Sequence, residues 1–350
     1  MGIPIVLPPA SHPVVTLAKL LRIPPGDEKE DWRMAWRRLT EGDTLFRSLR
    51  AAVKDETAPG AVELAGAWGA CAEKARLEAE RSAGSWDDSR LDSRLFGRFA
   101  RDLTAVTELA DCARRAWEHR GLSVHEIEPL CRQIWGDSES TDPKIVTRKT
   151  VGIRLLLGEE PPTVTVPVAL MLGETGYLAD LTLGLLKNAA GPAVPHPGDC
   201  FCTAVESDFY GNKESSFSDS MDVAWQAAQA VSGVPAEGEA PVAGFWRIRL
   251  RDGEPVLALE GESAGGAAAR GWLDLLMGKV PDDRVIALCT TDARGNLGGF
   301  LGHDVFAKVT AIAEEGYLDT IVVVDPDDKA AAEDALLKEG KDGEIRVLLK

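Results

Sequence analysis

Hydrophobic residues recur at helical spacing through the first part of the chain. In residues 1–143 they return every three or four positions, which is the pattern of amphipathic helices. The clearest case is the segment 95–120, where Phe96, Phe99 and Leu103 would share one face. We therefore predict an all-α helical domain over 1–143, in which these apolar stripes form the core.

Local signals mark the end of this helical region. Ser123 and Glu126 form a capping-box pattern, which predicts that a further helix begins there and runs to about Trp135. The polar segment 137–143 has the composition of a linker. Because the region contains no recognisable catalytic constellation, we expect it to serve as a docking or regulatory domain.

The hydrophobic pattern changes from residue 144 onwards. Runs of Val, Leu and Ile between turn residues predict strands, and amphipathic segments between the runs predict helices. The predicted strands are 151–157, 163–172, 245–250, 256–259, 285–288, 320–324 and 344–349, and the predicted helices are 219–231, 264–277, 305–315 and 329–338. This alternation predicts an α/β (α+β) domain over 144–350.

Charge is distributed unevenly between the two regions. The 350 residues include 39 basic and 56 acidic side chains, for a net charge of −17. Residues 1–150 contain 23 basic and 24 acidic residues, whereas 151–350 contain 16 and 32. An acidic domain repels phosphate backbones, so we do not expect nucleic acid as a partner.

The apolar runs and the cysteines of the chain bear on its cellular location. The longest apolar runs, such as 164–172, are shorter than the roughly 18 residues of a membrane helix, so no membrane association is expected. No basic residue precedes the apolar start of the chain, which therefore lacks the pattern of a secretory signal. The six cysteines form no Cys-x-x-Cys motif, which favours a reducing, cytoplasmic location without metal or cofactor.

Candidate chemistry is concentrated around Ser263. The predicted strand 256–259 leads into a glycine-rich turn, in which Gly261 permits a sharp change of direction, and then into an alanine-rich helix. Backbone N–H groups at a helix N-terminus attract negative charge. Ser263 could thus be a nucleophile whose oxyanion is bound by its own N–H or that of Ala264. The alternative is that Ser263 is an ordinary helix N-cap.

Two other functions fit this turn less well. The chain contains no Gly-x-x-x-x-Gly-Lys-Ser/Thr motif, and the glycines around Ser263 do not form Gly-x-Gly-x-x-Gly, so a nucleotide site is poorly supported. The segment 261–265 satisfies the Gly-x-Ser-x-Gly pattern of serine esterases. However, His303 is the only histidine after Ser263, whereas that fold requires an acidic residue and then a histidine after the serine. The 87 residues that follow Ser263 are also too few for the remainder of the esterase fold.

The segment 257–325 resembles the proteolytic domain of the Lon protease family. Glu260-Gly-Glu-Ser-Ala264 is similar to the serine motif of that family. Arg294-Gly295 and Gly298-Gly299 follow and resemble its glycine-rich hairpin. Lys308 then precedes Gly316 by the eight residues found between the family's catalytic lysine and its glycine. The resemblance covers about 110 residues, 216–325, and implies a Lon-like fold.

The resemblance also implies roles for individual residues. Ser263 would be the nucleophile, Lys308 the general base and Thr290 the residue that orients the amine, with Ala264 and Gly261 supporting the catalytic turn. A lysine acts as a base only when neutral, so the pKa of Lys308 must fall from about 10.4 towards 7–8.

Burial supplies the physical cause for such a shift. The apolar neighbours Val305, Ala307 and Ile312 would desolvate the ammonium of Lys308. The hairpin before Lys308 departs from the family pattern and is followed by a longer segment. We therefore keep Lys279 as an alternative base, and we expect His303 and Asp304 to be a solvent-exposed pair.

The expected function is that of a Lon-like serine endopeptidase that needs no ATP, because the chain lacks a nucleotide-binding motif. We expect it to cleave a specific protein substrate under the control of a regulatory partner or a fused sensor module. A catalytically inactive Lon-like scaffold is the main alternative, and a serine esterase a further one. The family fold adds a closing helix after the strand at 344–349, which suggests a fragment of a longer protein. The oligomeric state is left open.

Overall fold

The computed structural model describes most of the second part of the chain and selected segments of the first. The described residues are 19, 22, 44–55, 63–67, 69–70, 107–135, 143–172, 174–199, 216–235, 239–251, 262–299 and 304–350. Backbone contacts divide the chain into two compact units. Unit 1 comprises 1–141, 148–160 and 197–204, and unit 2 comprises 142–147, 161–196 and 205–350. The predicted boundary after residue 143 lies close to the first of these divisions.

The described part of unit 1 is helical. Its helices are α1 (Thr44–Lys54), the helical residues 63–67 and 107–118, α2 (Val124–Trp135) and, from residue 148, the greater part of α3 (Pro143–Leu156). Apolar side chains from these segments are buried, including Leu45, Leu49, Leu64, Leu109, Ala116 and Ile127. The segment 95–106, with its predicted apolar stripe, and the linker 137–142 lie outside the described residues.

One of the two reciprocal hydrogen bonds of the predicted capping box is present at the start of α2. A carboxylate oxygen of Glu126 accepts hydrogen bonds from the backbone N–H of Ser123 at 2.8 Å and from its hydroxyl at 2.7 Å. These bonds satisfy a backbone donor that the helix leaves without an internal partner. The helix then continues through Pro129.

The strand predicted at 151–157 is wrong, because these residues form the end of α3. Val151, Ile153 and Leu156 are fully buried, so the segment is apolar on more than one face. A short apolar run without a polar face cannot be distinguished from a buried strand by its period. Arg154 lies in the same run and is 1% exposed, and Glu159 accepts hydrogen bonds from two of its nitrogens at 2.6 Å.

Unit 2 contains a four-stranded sheet with the order β1-β2-β4-β3. Its strands are β1 (Thr163–Leu172), β2 (Thr175–Lys187), β3 (Val194–Pro195) and β4 (Val242–Leu250). The pairs β1–β2 and β2–β4 are antiparallel, and β3 is parallel to β4. The predicted strands 163–172 and 245–250 fall in β1 and β4, whereas the sequence analysis assigned no strand to the region of β2.

The second half of unit 2 combines parallel strands with helices. Strands β5 (Val285–Ala287), β8 (Thr320–Val323) and β9 (Arg346–Leu349) form a parallel sheet, and β6 (Thr290–Thr291) pairs with β7 (Leu297–Gly298) in a hairpin. The helices of unit 2 are α4 (Ser216–Ser232), α5 (Gly265–Leu276), α6 (Asp304–Glu315) and α7 (Pro326–Lys338). These elements agree with the predicted ones and confirm the α/β class; the predicted strand 256–259 lies outside the described residues.

Two hydrophobic cores lie on opposite faces of the four-stranded sheet. The first, which we call the α5 core, joins α4 and α5 to the sheet and includes Leu181, Trp225 and Trp272. The second, the α6 core, joins α6 and α7 to the parallel sheet. Because successive strand residues point to opposite faces, Val168 of β1 belongs to the α5 core and Ala169 to the α6 core.

Among the described helices, none combines the length and the apolar content that a membrane span requires.

Candidate active site

Ser263 lies in the turn that leads directly into α5. The N-cap of this helix is Ala264, and no side chain caps the helix. The interpretation of Ser263 as an ordinary N-cap is therefore wrong, and its hydroxyl is available for other contacts. Ser263 itself is half-buried, and Ala264 is 4% exposed.

Two backbone hydrogen bonds hold this turn against the segment before β6. The N–H of Cys289 donates to the carbonyl oxygen of Ser263 at 3.2 Å, and the N–H of Gly266 donates to the carbonyl oxygen of Cys289 at 3.0 Å. We call this pair the Cys289 bridge. A Cβ at Gly266 would lie 2.2 Å from the sulfur of Cys289, so only glycine permits such a close approach.

The amides at the start of α5 are not all used. Gly265 donates to the carbonyl oxygen of Glu262 at 2.9 Å, and Gly266 is part of the Cys289 bridge. Among the backbone hydrogen bonds of the described residues, none has the N–H of Ser263 or Ala264 as donor. These two N–H groups lie beside the Ser263 hydroxyl, where the predicted oxyanion would form.

Lys308 lies in the second turn of α6 and reaches the serine. Its side-chain nitrogen Nζ donates to the Ser263 oxygen Oγ at 2.7 Å, although 45 residues separate the two in sequence. The lysine is 5% exposed. The structure thus brings together the two residues that the sequence analysis paired.

Burial determines the protonation of this lysine. Desolvation of the ammonium lowers the pKa of Lys308 below its ordinary value. The carboxylate of Asp304, one helical turn earlier on α6, opposes this change because a negative charge raises the pKa of a nearby amine. The net direction is downward, which favours the neutral form that a general base requires.

The position of α6 depends on a glycine that the sequence analysis did not single out. A Cβ at Gly176, at the start of β2, would lie 2.2 Å from the carbonyl oxygen of Ala307 and 3.0 Å from the backbone nitrogen of Lys308. The strand therefore passes directly against the backbone that carries the lysine. A glycine inside a strand pattern often marks such an approach, and this signal could have identified Gly176.

Thr290 lies in β6, next to the Cys289 bridge. Its hydroxyl donates to the carbonyl oxygen of Gly298 in β7 at 3.1 Å. The proton of this hydroxyl is therefore used within the hairpin. The hairpin turn is closed by Asp292, whose carboxylate accepts from the backbone N–H groups of Arg294 and Asn296.

The remaining predicted site residues are distant or outside the described part of the chain. Lys279 is exposed and follows the C-terminal end of α5, whereas Ser263 precedes the N-terminus of this 12-residue helix, which is about 18 Å long. The structure thus excludes Lys279 as the base. Gly261 and His303 lie outside the described residues, and Asp304 is the exposed first residue of α6.

The described residues include no group of three or more His, Cys, Asp or Glu side chains that could hold a metal ion. No protein-family model matches the chain, and no curated protein matches it.

Proposed function

We propose that this protein is a Lon-like serine endopeptidase that uses Ser263 and Lys308 as a catalytic dyad and needs no ATP. The observation that supports the proposal is the 2.7 Å separation of Ser263 Oγ and Lys308 Nζ, with the lysine buried. Burial of an ammonium group is costly, which makes a buried lysine that is hydrogen-bonded to a serine a candidate functional group. The sequence resemblance to the Lon family supplies the substrate class, an accessible protein segment.

The proposed reaction begins with proton transfer. Neutral Lys308 accepts the hydroxyl proton of Ser263, and Oγ attacks the carbonyl carbon of the substrate peptide. The negative charge that develops on the carbonyl oxygen is stabilised by the positive end of α5 and by the N–H groups of Ser263 and Ala264, which donate to no other backbone group among the described residues.

Collapse of this intermediate completes the first half of the reaction. The C–N bond breaks, and protonated Lys308 delivers its proton to the leaving amine, which leaves an ester between the substrate acyl group and Ser263. Water then attacks the ester with Lys308 again as base, which releases the acid and restores the serine.

Lysine is the base in this proposal because it is the group bonded to the serine hydroxyl. A serine esterase of the Gly-x-Ser-x-Gly type would require a histidine at this position. The resemblance further leads us to propose a cytoplasmic enzyme whose cleavage is controlled by a regulatory protein partner or a fused sensor module.

Labelling with a fluorophosphonate, followed by intact mass and peptide mapping, tests the dyad without knowledge of the substrate. We expect the wild type to be modified at Ser263, Ser263→Ala to be unmodified, and Lys308→Ala to react about 10²-fold more slowly or worse. Lys279→Ala is the matched control, because it removes an exposed lysine at the other end of α5, and it should react like the wild type.

Two results would contradict the proposal. Labelling of Lys308→Ala at the wild-type rate would assign the base to another residue. A wild-type protein that is folded by near-ultraviolet circular dichroism but inert to the probe, and that leaves casein uncleaved, would favour the inactive scaffold.

A further inference from the structure

A cleft of about 480 Å³ runs along α5. It extends from Gly266, beside the catalytic turn, to Asp274 near the other end of the helix. Residues of α4, β1, β5 and the β6–β7 hairpin form its other walls, among them Val231, Val285 and Leu297. Cavities of this size are typical of small-molecule sites.

The cleft is separate from the dyad. Thr291 lines it, whereas Thr290, its neighbour in β6, is not among the lining residues, and neither are Ser263 and Lys308. Because successive strand residues point to opposite faces, the cleft lies behind the face of the hairpin that carries Thr290. A group bound there would not occupy the position of the scissile peptide.

The walls determine which chemistry could bind. They are mainly apolar, and at two lining positions, Val231 and Leu297, the side chains are 56% and 42% exposed. The four charged lining residues balance in sign: Arg270 and Asp274 share a hydrogen bond of 2.8 Å, and Asp282 and Lys350, which are exposed, carry opposite charges. Burial raises the pKa of the Cys289 thiol to about 11, so this part of the wall is also uncharged. An uncharged, largely apolar molecule fits these properties.

Occupation of the cleft would act on the catalytic turn. Gly266 and Cys289 both line it, and both belong to the Cys289 bridge that holds the Ser263 carbonyl. We propose that the cleft binds an uncharged apolar small molecule and that this ligand stabilises the Cys289 bridge, so that it regulates Ser263. The regulatory part rests on the proposed function, whereas the binding site and its effect on the bridge do not.

Binding is tested with the neutral fluorescent probe N-phenyl-1-naphthylamine on the full chain. We expect one probe per chain, bound equally by wild type and Ser263→Ala, with binding at least tenfold weaker in Ala269→Phe, which fills the cleft. Ala331→Phe is the matched control, because it makes the same change at a half-buried helical alanine that packs against the α6 core.

A second variant guards against misfolding of Ala269→Phe. Val231→Asp places a charge at an exposed position of the cleft wall and should weaken binding of the neutral probe by a similar factor. Absence of probe binding to the wild type, or binding that neither variant weakens, would overturn the proposed site.

The effect on the bridge is measured by hydrogen exchange, which does not depend on catalysis. We expect the bound probe to slow exchange of the amides of Gly266 and Cys289 at least threefold, in both wild type and Ser263→Ala. Unchanged exchange at these amides, with the probe bound, would overturn the coupling. Failure of the fluorophosphonate to label Ser263 would instead contradict the proposed function, and the two failures are therefore distinguishable.

Discussion

The α5 core and the α6 core contain the chain neighbours of Ser263 and Lys308, respectively, and they are built differently. The α5 core contains aromatic pairs that meet edge to face, Trp225 with Trp272 at 5.5 Å and Phe217 with Trp246 at 5.4 Å. The buried members of the α6 core are aliphatic side chains of Val, Ile, Leu and Ala. Aromatic pairs of this geometry add about 0.5–1.5 kcal/mol beyond their buried area.

This difference has a consequence for the two proposed catalytic groups. The two backbone hydrogen bonds of the Cys289 bridge hold the turn that contains Ser263, next to the α5 core. The position of Ser263 is therefore determined by the main chain. Lys308 is held by the packing of an aliphatic helix, and its chemistry depends on the surrounding apolar side chains, which keep water from the amine. The proposed nucleophile therefore depends on the geometry of the main chain, and the proposed base depends on burial.

The largest expected effect comes from replacement of the buried lysine of α6 by an apolar side chain. Lys308→Met should reduce the labelling rate of Ser263 about 10²- to 10⁴-fold, because it removes the general base. At pH 7 the same variant should unfold at a temperature a few degrees higher, because methionine avoids the desolvation of a buried ammonium. Differential scanning calorimetry measures this gain.

The pH dependence of that gain checks its cause. Burial places the folded-state pKa of Lys308 below its unfolded value of about 10.4, so the unfolded chain binds more protons in the interval between them. The stability of the wild type relative to Lys308→Met should therefore rise with pH across that interval. A lower stability of Lys308→Met at pH 7 would show that the lysine is structural.

The next largest effects come from substitution of two glycines, Gly176 beside α6 and Gly266 in α5. At Gly176 an added Cβ meets the backbone of α6, which truncation of a side chain cannot relieve. Gly176→Ala should therefore displace Lys308, destabilise the fold by about 1–3 kcal/mol and slow labelling of Ser263. Gly121→Ala, where an added Cβ meets no atom within 4 Å, is the control. Wild-type stability and reactivity in Gly176→Ala would contradict this account of how α6 is placed.

Gly266 gives the contrasting case on the α5 side. Here the added Cβ meets a side-chain atom, the sulfur of Cys289, at 2.2 Å, with the backbone oxygen at 3.0 Å. We expect Gly266→Ala to destabilise the fold, and Cys289→Ala to recover part of the loss when the two are combined. A double-mutant cycle in urea should show a coupling of about 0.5–3 kcal/mol. Additive effects of the two substitutions would argue against the contact.

The smallest expected effect is a change in the pKa of Lys308 that leaves the position of the lysine unchanged. Reactivity requires neutral Lys308 and should therefore rise with pH, with a midpoint below 10.4. The Asp304 carboxylate raises the pKa of Lys308, so Asp304→Asn should move this midpoint to lower pH and increase the rate below it. Glu314→Gln, which removes an exposed charge about three turns further along α6, is the control. A shift to higher pH would contradict the assignment.

Most elements of unit 2 could be predicted because each carries a strong local signal. The apolar run of β1 and the amphipathic helix α6 are examples, and the spacing of Lys308 and Gly316, through its resemblance to the Lon family, pointed to Lys308 as the candidate base. The strand β2 escaped prediction because its polar and glycine positions interrupt the pattern, and α3 was misassigned because burial on several faces removes the helical period.

Some features of the candidate site could likewise be predicted from the sequence, and others could not. Ser263, Lys308 and Thr290 could be identified from the sequence, since short motifs record the residue types that the chemistry needs. The sequence could not show that Gly176 lies against the backbone of α6 or that the Cys289 bridge holds the turn at Ser263, because both are contacts between segments distant in the chain. It could not show the effect of Asp304 on the pKa of Lys308 either, because that pKa depends on how deeply the lysine is buried.

The sequence by itself determined the α/β class of the second region, the helical character of the first and the identity of the candidate nucleophile and base. Only the tertiary structure decided that Ala264 and not Ser263 caps α5, that Lys279 lies at the wrong end of that helix, and that Lys308 is buried at 2.7 Å from the serine. The physical reason is that helix and strand preferences arise from near neighbours, whereas the desolvation and alignment of two catalytic groups arise from the packing of two cores against one sheet.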